Sequence, residues 1–168
     1  RRVLVPLPSR VRSLRGLFEN TFLQLKVRRE RLDCLHWFAN IQGIVNLAPP
    51  VVTIHDLQPF LNFATMPPLK RRFLRSSLQA TVRNGATLLP VSQATANSLR
   101  EILGARADSM YVIPPVLEPV FVPAEIQETE ACRTRYNLPA NFWLYVAHMY
   151  PHKNHERLLR AYAAVKRR

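Results

Sequence analysis

The run Val51-Val52-Thr53-Ile54 constrains the fold of this chain more than any other feature. It is short, mostly β-branched and apolar on both faces, enclosed by Pro49-Pro50 before it and His55-Asp56 after it. Such a run is expected as a strand buried within a parallel sheet. Ala86-Thr87-Leu88-Leu89-Pro90-Val91 and Met110-Tyr111-Val112-Ile113 repeat the pattern, the second closed by Pro114-Pro115. Pro90 is expected at its strand's end or at an irregularity, because proline cannot donate to a ladder. Helices are predicted between these runs. Pro67-Pro68 sets up one start, Leu74, Leu78 and Val82 follow at four-residue steps, and Asn84-Gly85 is a stop. Ser92 is a natural N-cap for a helix carrying Ala96, Leu99, Ile102 and Leu103, with Gly104 ending it. Upstream, Leu14, Leu17, Phe18, Phe22, Leu23 and Leu25 predict one amphipathic helix over 13–30, and a short strand is expected within 32–37. Alternating short strands and helices imply an α/β fold with a parallel, doubly wound sheet, whose ligands bind beyond the carboxyl ends of the strands.

Between Glu118 and Pro139 the character changes. Pro119, Pro123 and Pro139 punctuate a stretch holding Glu118, Glu125, Glu128 and Glu130, which predicts a linker with at most one helical turn. Beyond it Phe142-Trp143-Leu144-Tyr145-Val146-Ala147 predicts another strand, and Asn154 is expected to cap a helix burying Leu158, Ala161, Tyr162 and Val165. One strand and one helix have no partner against which to bury an apolar face, so the sequence is expected to be a piece of a longer protein.

Composition excludes several function classes. Four glycines against fourteen prolines leave no glycine-rich phosphate loop, which argues against dinucleotide-fingerprint dehydrogenases and Walker-type ATPases. The net charge is +13, from 24 Lys and Arg against 11 Asp and Glu, but 48% hydrophobic and only 21% charged residues suit a folded core rather than a disordered chain. Cys34 and Cys132 lack metal-ligand spacing and are expected as reduced structural thiols, with neither a zinc site nor a disulfide scaffold. No apolar run approaches the ~20 residues that span a bilayer, and the first residues lack a secretory signal's apolar stretch. A cytoplasmic location is the expectation.

Two places put ionisable residues at expected strand ends. His55-Asp56 directly follows the 51–54 run, where an imidazole can donate to a substrate hydroxyl or phosphate and a carboxylate can orient it; the same pair could serve only the fold. In the loop His148-Met149-Tyr150-Pro151-His152-Lys153-Asn154-His155, a lysine and several histidines crowd a helix N-terminus, whose free N–H groups and dipole favour an anion such as a diphosphate. Solvated, incidental side chains are the alternative there. No His and Asp spacing supports a metal-dependent hydrolase.

Four segments in order carry a resemblance: Val51-Val52-Thr53-Ile54-His55-Asp56-Leu57; Leu89-Pro90-Val91-Ser92; Val112-Ile113-Pro114-Pro115; and Phe142 to Ala147 followed by Pro151-His152-Lys153-Asn154-His155 and Leu158-Leu159-Arg160-Ala161. Together they resemble retaining glycosyltransferases of family 4, from about Gly16 onward. The resemblance implies a GT-B fold. Residues 1–122 would be part of the N-terminal acceptor-binding Rossmann-like domain, 123–139 a linker, and 140–168 the first strand and helix of the nucleotide-sugar-binding domain. It implies transfer of a hexose, mannose among the expectations, from a nucleoside-diphosphate sugar to a glycan or lipid-linked acceptor, with retention, without a metal or other cofactor, in cell-envelope polysaccharide or glycolipid synthesis. His55 matches the family's active-site histidine near the transferred sugar, and Lys153 the basic residue on the donor diphosphate. Asp56 and Ser92 match motif positions at the inter-domain cleft. His148 stands where many members have arginine after a glycine, with Asn154 beside Lys153 at the helix start. Pro114-Pro115 replaces the Asn-Gly pair of many members. The family's late pair of glutamates would fall beyond Arg168, so the sequence by itself is expected to be inactive.

The arginine clusters at 10–15, 28–31 and 70–75 lack interleaved aromatics and match no nucleic-acid recognition motif. For an enzyme with lipid-linked acceptors they would hold the domain to an anionic membrane surface, peripherally on the inner leaflet. The competing reading is a non-catalytic basic module for nucleic acid or acidic polymer.

Overall fold

In a computed structural model the protein is described over residues 12–61 and 66–166. The side chains of the arginine cluster at 10–15 lie outside the described residues. The backbone divides into two units, Arg1–Pro115 and Val116–Arg168.

The first unit opens with α1 (Arg12–Asn20) and α2 (Phe22–Arg29) where a single helix is predicted. Asn20 and Thr21 make the break: Asn20 Nδ2 donates to the Gly16 carbonyl and Thr21 Oγ1 to the Leu17 carbonyl, both at 2.7 Å. Short polar side chains that bond the preceding turn compete with the helical ladder. α2 ends in a left-handed residue, Arg31 at φ 50, with the Leu32 N–H reaching back to the Val27 carbonyl at 3.1 Å.

Three parallel strands follow, β1 (Leu35–Trp37), β2 (Pro50–Ile54) and β3 (Thr87–Pro90), ordered β1-β2-β3 with Val52 opposite Leu88 and Ile54 opposite Pro90. α3 (Pro68–Arg83) joins β2 to β3, and α4 (Gln93–Leu103) follows β3. Both helices keep their predicted ends. Pro68 opens α3 before Asn84-Gly85, while Ser92 Oγ accepts the Thr95 N–H of α4 and Gly104 closes it at φ 65. Leu78 of α3 and Leu99 of α4 join Val52, Ile54 and Leu88 in one inaccessible core. Each such side chain contributes about 1.5–3 kcal/mol on burial. The opposite sheet face, with Val51, Thr53, Thr87 and Leu89, is only half-buried. The expectation that 51–54 is buried on both faces therefore holds for one, because α3 and α4 both pack against the side that carries Val52, Ile54 and Leu88.

Pro90 closes β3, as expected. Beyond it, the strand predicted at 110–113 is reduced to an isolated Leu88–Met110 bridge, although the Tyr111 N–H reaches the Leu88 carbonyl at 3.0 Å and the Ile113 N–H the Pro90 carbonyl at 2.9 Å. The Pro90 carbonyl faces this segment, so its missing N–H faces it too, and one rung of the ladder cannot form.

In the second unit, α5 (Ile126–Tyr136) occupies the stretch predicted as a linker. The acids that suggested a linker include its cap, with the Glu125 N–H bonded to Glu128 Oε2 at 3.2 Å. A turn at Pro151–Lys153 leads into α6 (His155–Lys166). No strand forms over 142–147, where all but Ala147 are exposed, and Ala161, Tyr162 and Val165 of α6 are exposed too. A strand needs a neighbour to bond, and the described residues of this unit supply none. Cys34 and Cys132 are exposed, free thiols rather than interior ones. Among the described residues no helix is long and apolar enough to cross a membrane.

Candidate active site

The carboxyl ends of the three strands converge on His55. As the first residue after β2, it is anchored from both neighbouring strands. Asn40, beyond β1, adopts a left-handed conformation at φ 58, which asparagine tolerates better than most residues. From there its Oδ1 accepts the His55 N–H at 2.6 Å and its own N–H reaches the Thr53 carbonyl at 3.0 Å. The His55 ring is held separately, with Nε2 2.9 Å from the Phe38 carbonyl. A carbonyl only accepts, so Nε2 carries the proton in this bond and Nδ1 is the position left for exchange with a ligand.

Asp56 turns the chain. Its Oδ1 accepts the Gln58 N–H at 3.1 Å, a local Asx turn. Asp56, Asn40, Gln58 and Lys70 all line one cleft of about 250 Å³. Ser92 plays a different part. Its Oγ accepts the Thr95 N–H at 3.1 Å and bonds Thr95 Oγ1 at 3.0 Å, and Thr95 Oγ1 donates to the His55 carbonyl at 3.3 Å. A chain of two hydroxyls thus ties the start of α4 to the backbone of His55. The structure brings His55, Asp56 and Ser92 together, joined by Asn40, Phe38 and Thr95, which sequence reasoning missed. Asn40 carried no periodicity signal, and Thr95 was visible only as the third residue of a capped helix.

In the second unit, His148, Lys153 and Asn154 share one loop. Tyr145 Oη donates to the Lys153 carbonyl at 2.9 Å, the Lys153 N–H to the Tyr150 carbonyl at 2.9 Å, and Asn154 turns left-handed at φ 57. The Asn154 carbonyl takes the first helical bond of α6, from the Leu158 N–H at 3.2 Å. Rings of His148, Tyr150 and His152 stand in series with centroids 5.6 Å apart at each step. Lys153, His148 and Asn154 are all exposed. The residues that shape this loop, Tyr145 and Tyr150, were not singled out by sequence reasoning.

The family model for Glycosyltransferase Family 4 matches residues 1–119, which include the whole His55 network. The chain belongs to Glycosyltransferase Family 4. Among solved structures it is similar to a glycosyltransferase from Rickettsia africae ESF-5, at 15% identity and a TM-score of 0.48. That alignment covers 83% of this chain and 36% of the other, so the chain spans about a third of that protein's length. No curated protein matches it. The family's expected α/β, Rossmann-like parallel sheet is present, and the family match covers His55, Asp56 and Ser92 but stops short of the Lys153 loop.

Proposed function

We propose that the chain serves a retaining, metal-independent glycosyltransferase that moves a hexose, such as mannose, from a nucleoside-diphosphate sugar to a glycan or lipid-linked acceptor of cell-envelope polysaccharide or glycolipid synthesis. The observation that carries the reading is the convergence of three strand ends on His55 in a Family 4 chain. In this proposal residues 1–122 belong to the acceptor-binding domain, 123–139 link it onward, and 140–168 open the donor-binding domain. His55 bonds a hydroxyl of the transferred sugar, with Asp56 and Ser92 shaping the acceptor cleft. Lys153 and His148 neutralise the donor diphosphate, assisted by Asn154 and the free N–H groups of α6. In the reaction the bond from the anomeric carbon to diphosphate oxygen breaks and one to the acceptor oxygen forms on the same face. The acceptor's hydroxyl proton leaves with the diphosphate. Peripheral association with the inner leaflet of the membrane is part of the same proposal, supported by the exposed arginines of the 28–31 and 70–75 clusters.

The experiment uses the complete enzyme with GDP and UDP sugars. Lys153→Ala is expected to weaken nucleoside-diphosphate binding by about 1.5–3 kcal/mol, the worth of a charge-assisted hydrogen bond. His55→Ala is expected to lower kcat and leave nucleotide affinity unchanged. Unchanged turnover in both variants would overturn the assignment.

A further inference from the structure

His36, the middle residue of β1, reaches His55 by two routes. Its strand neighbours Leu35 and Trp37 pack into or against the core, while His36 is exposed. In register it stands opposite Val51, so it shares the less covered sheet face with Val51 and Thr53. There its Nε2 lies 2.8 Å from Thr53 Oγ1, and its ring packs on that of Phe38 with centroids 3.9 Å apart.

These contacts close a circuit. The Thr53 carbonyl accepts the Asn40 N–H, Asn40 Oδ1 accepts the His55 N–H, and His55 Nε2 bonds the Phe38 carbonyl. The Phe38 ring then lies on His36, which returns to Thr53. Phe38 is 69% exposed and stands one residue beyond β1, so burial does little to fix its place. Contact with the His36 ring does what burial does elsewhere.

The place of Phe38 matters because its carbonyl takes the Nε2 proton of His55. A neutral imidazole bonded in that way presents Nδ1 as an acceptor only. A sugar hydroxyl can donate to Nδ1 while the ring keeps this orientation, whereas a flipped or swung ring offers the hydroxyl the wrong edge.

We propose that His36 is a positioning residue for His55: anchored on Thr53, its ring sets Phe38, whose carbonyl fixes the imidazole with Nδ1 free for a hydroxyl of the sugar. This rests on the transferase reading above and adds the direction of the hydrogen bond, from sugar hydroxyl to imidazole. His36 acts through Phe38 and touches no substrate.

The test uses the complete enzyme at saturating donor, with urea unfolding to confirm that each variant is folded under assay conditions. His36→Ala is expected to lower kcat about tenfold or more, because small misplacements of a catalytic group are costly. Nucleotide affinity and the acceptor KM should stay within about twofold, since no binding contact is removed. His36→Phe keeps a ring on Phe38 and should recover most of the turnover; His36→Gln keeps a partner for Thr53 without the ring and should not. Phe38→Ala leaves the carbonyl but removes the ring, so it should cost as much as His36→Ala, and the double variant no more than either. In ring-nitrogen NMR of the full chain, His55 should carry its proton on Nε2, and an Nδ1-protonated form should appear in His36→Ala. Rescue by glutamine rather than phenylalanine overturns the proposal, as do additive losses at 36 and 38 or a loss confined to KM. An unchanged His55 ring spectrum in His36→Ala would sink this inference alone. The expected ring spectra in an enzyme that neither binds GDP or UDP nor transfers sugar would instead sink the transferase reading.

Discussion

Asn40 holds His55 by its backbone: the 2.6 Å bond from the His55 N–H to Asn40 Oδ1 ends β2 at a defined point while leaving the imidazole to be placed by Phe38. Asn40→Gly keeps the left-handed backbone and removes the acceptor. The expected cost is about 0.5–1.5 kcal/mol of stability, the net worth of one hydrogen bond. Asn40→Ala should cost roughly 1–2 kcal/mol more, from the Cβ penalty in that conformation. Urea unfolding separates the two, and an Asn40→Gly variant with faster His55 amide exchange would tie the loss to this bond.

Gly43 lies against the indole of Trp37. A Cβ there would sit 2.9 Å from Trp37 Cη2 and 3.2 Å from Asn20 Oδ1, and both neighbours are already bonded, Trp37 Nε1 to Asn46 Oδ1 and Asn20 Oδ1 to the Val45 N–H. Gly43→Ala is therefore expected to destabilise by about 1–3 kcal/mol, as overpacking does. A lower urea midpoint with a shifted Trp37 emission would show it. An unchanged midpoint would mean the 41–45 loop yields freely.

Arg31 occupies the left-handed position that ends α2, where glycine is normal. Arg31→Gly should raise stability by about 0.5–1 kcal/mol, whereas Gly104→Ala, at φ 65 after α4, should lower it by about 1–2 kcal/mol. Paired thermal melts of the two variants would check both signs at once.

Ser92→Ala removes the cap of α4 and the first link of the hydroxyl chain to His55. About 1 kcal/mol of stability should be lost. Ser92→Asp keeps a capping oxygen but cannot donate to Thr95, so it should restore stability without restoring turnover in the complete enzyme. Full recovery of both would leave the hydroxyl chain without a role.

A pH effect is expected at Asp108, whose carboxyl is held below its ordinary value of 3.8 by its hydrogen bond to Arg106. Because the folded state lowers this pKa, the stabilisation is complete above the unfolded carboxyl's range and disappears as pH falls through the folded value. Both groups are fully exposed, so the effect is small. An NMR titration of the Asp108 carboxyl should give a midpoint below 3.8, and Arg106→Gln should bring it back.

The elements best read from sequence are those whose ends carry their own chemistry. Pro68, Gly85, Ser92 and Gly104 each bound α3 or α4 through a local conformational or hydrogen-bonding preference, so no distant contact was needed to locate them. The position of His55 and Asp56 at a strand's carboxyl end was legible for a similar reason, since they directly follow an apolar run. The helix break at Thr21 escaped because apolar spacing continues straight through it while two side-chain bonds interrupt the backbone. Residues 142–147 have a strand's composition, but pairing belongs to a neighbour and is not encoded in the segment itself. Asn40 and Thr95 matter through partners 15 and 40 residues away, a separation that no local pattern reveals.

The absent N–H of Pro90 makes the seam along β3 a mechanical weak point. Tension on the chain beyond Pro115 would arrive first at the Ile113–Pro90 bond, and the next rung inward is the one proline cannot supply. Load would then fall on the Tyr111–Leu88 bond alone, so the edge is built to peel one bond at a time rather than to shear as a block. Stretching the molecule from its two ends should release 110–113 at low force while β1, β2 and β3, paired along their lengths, still hold.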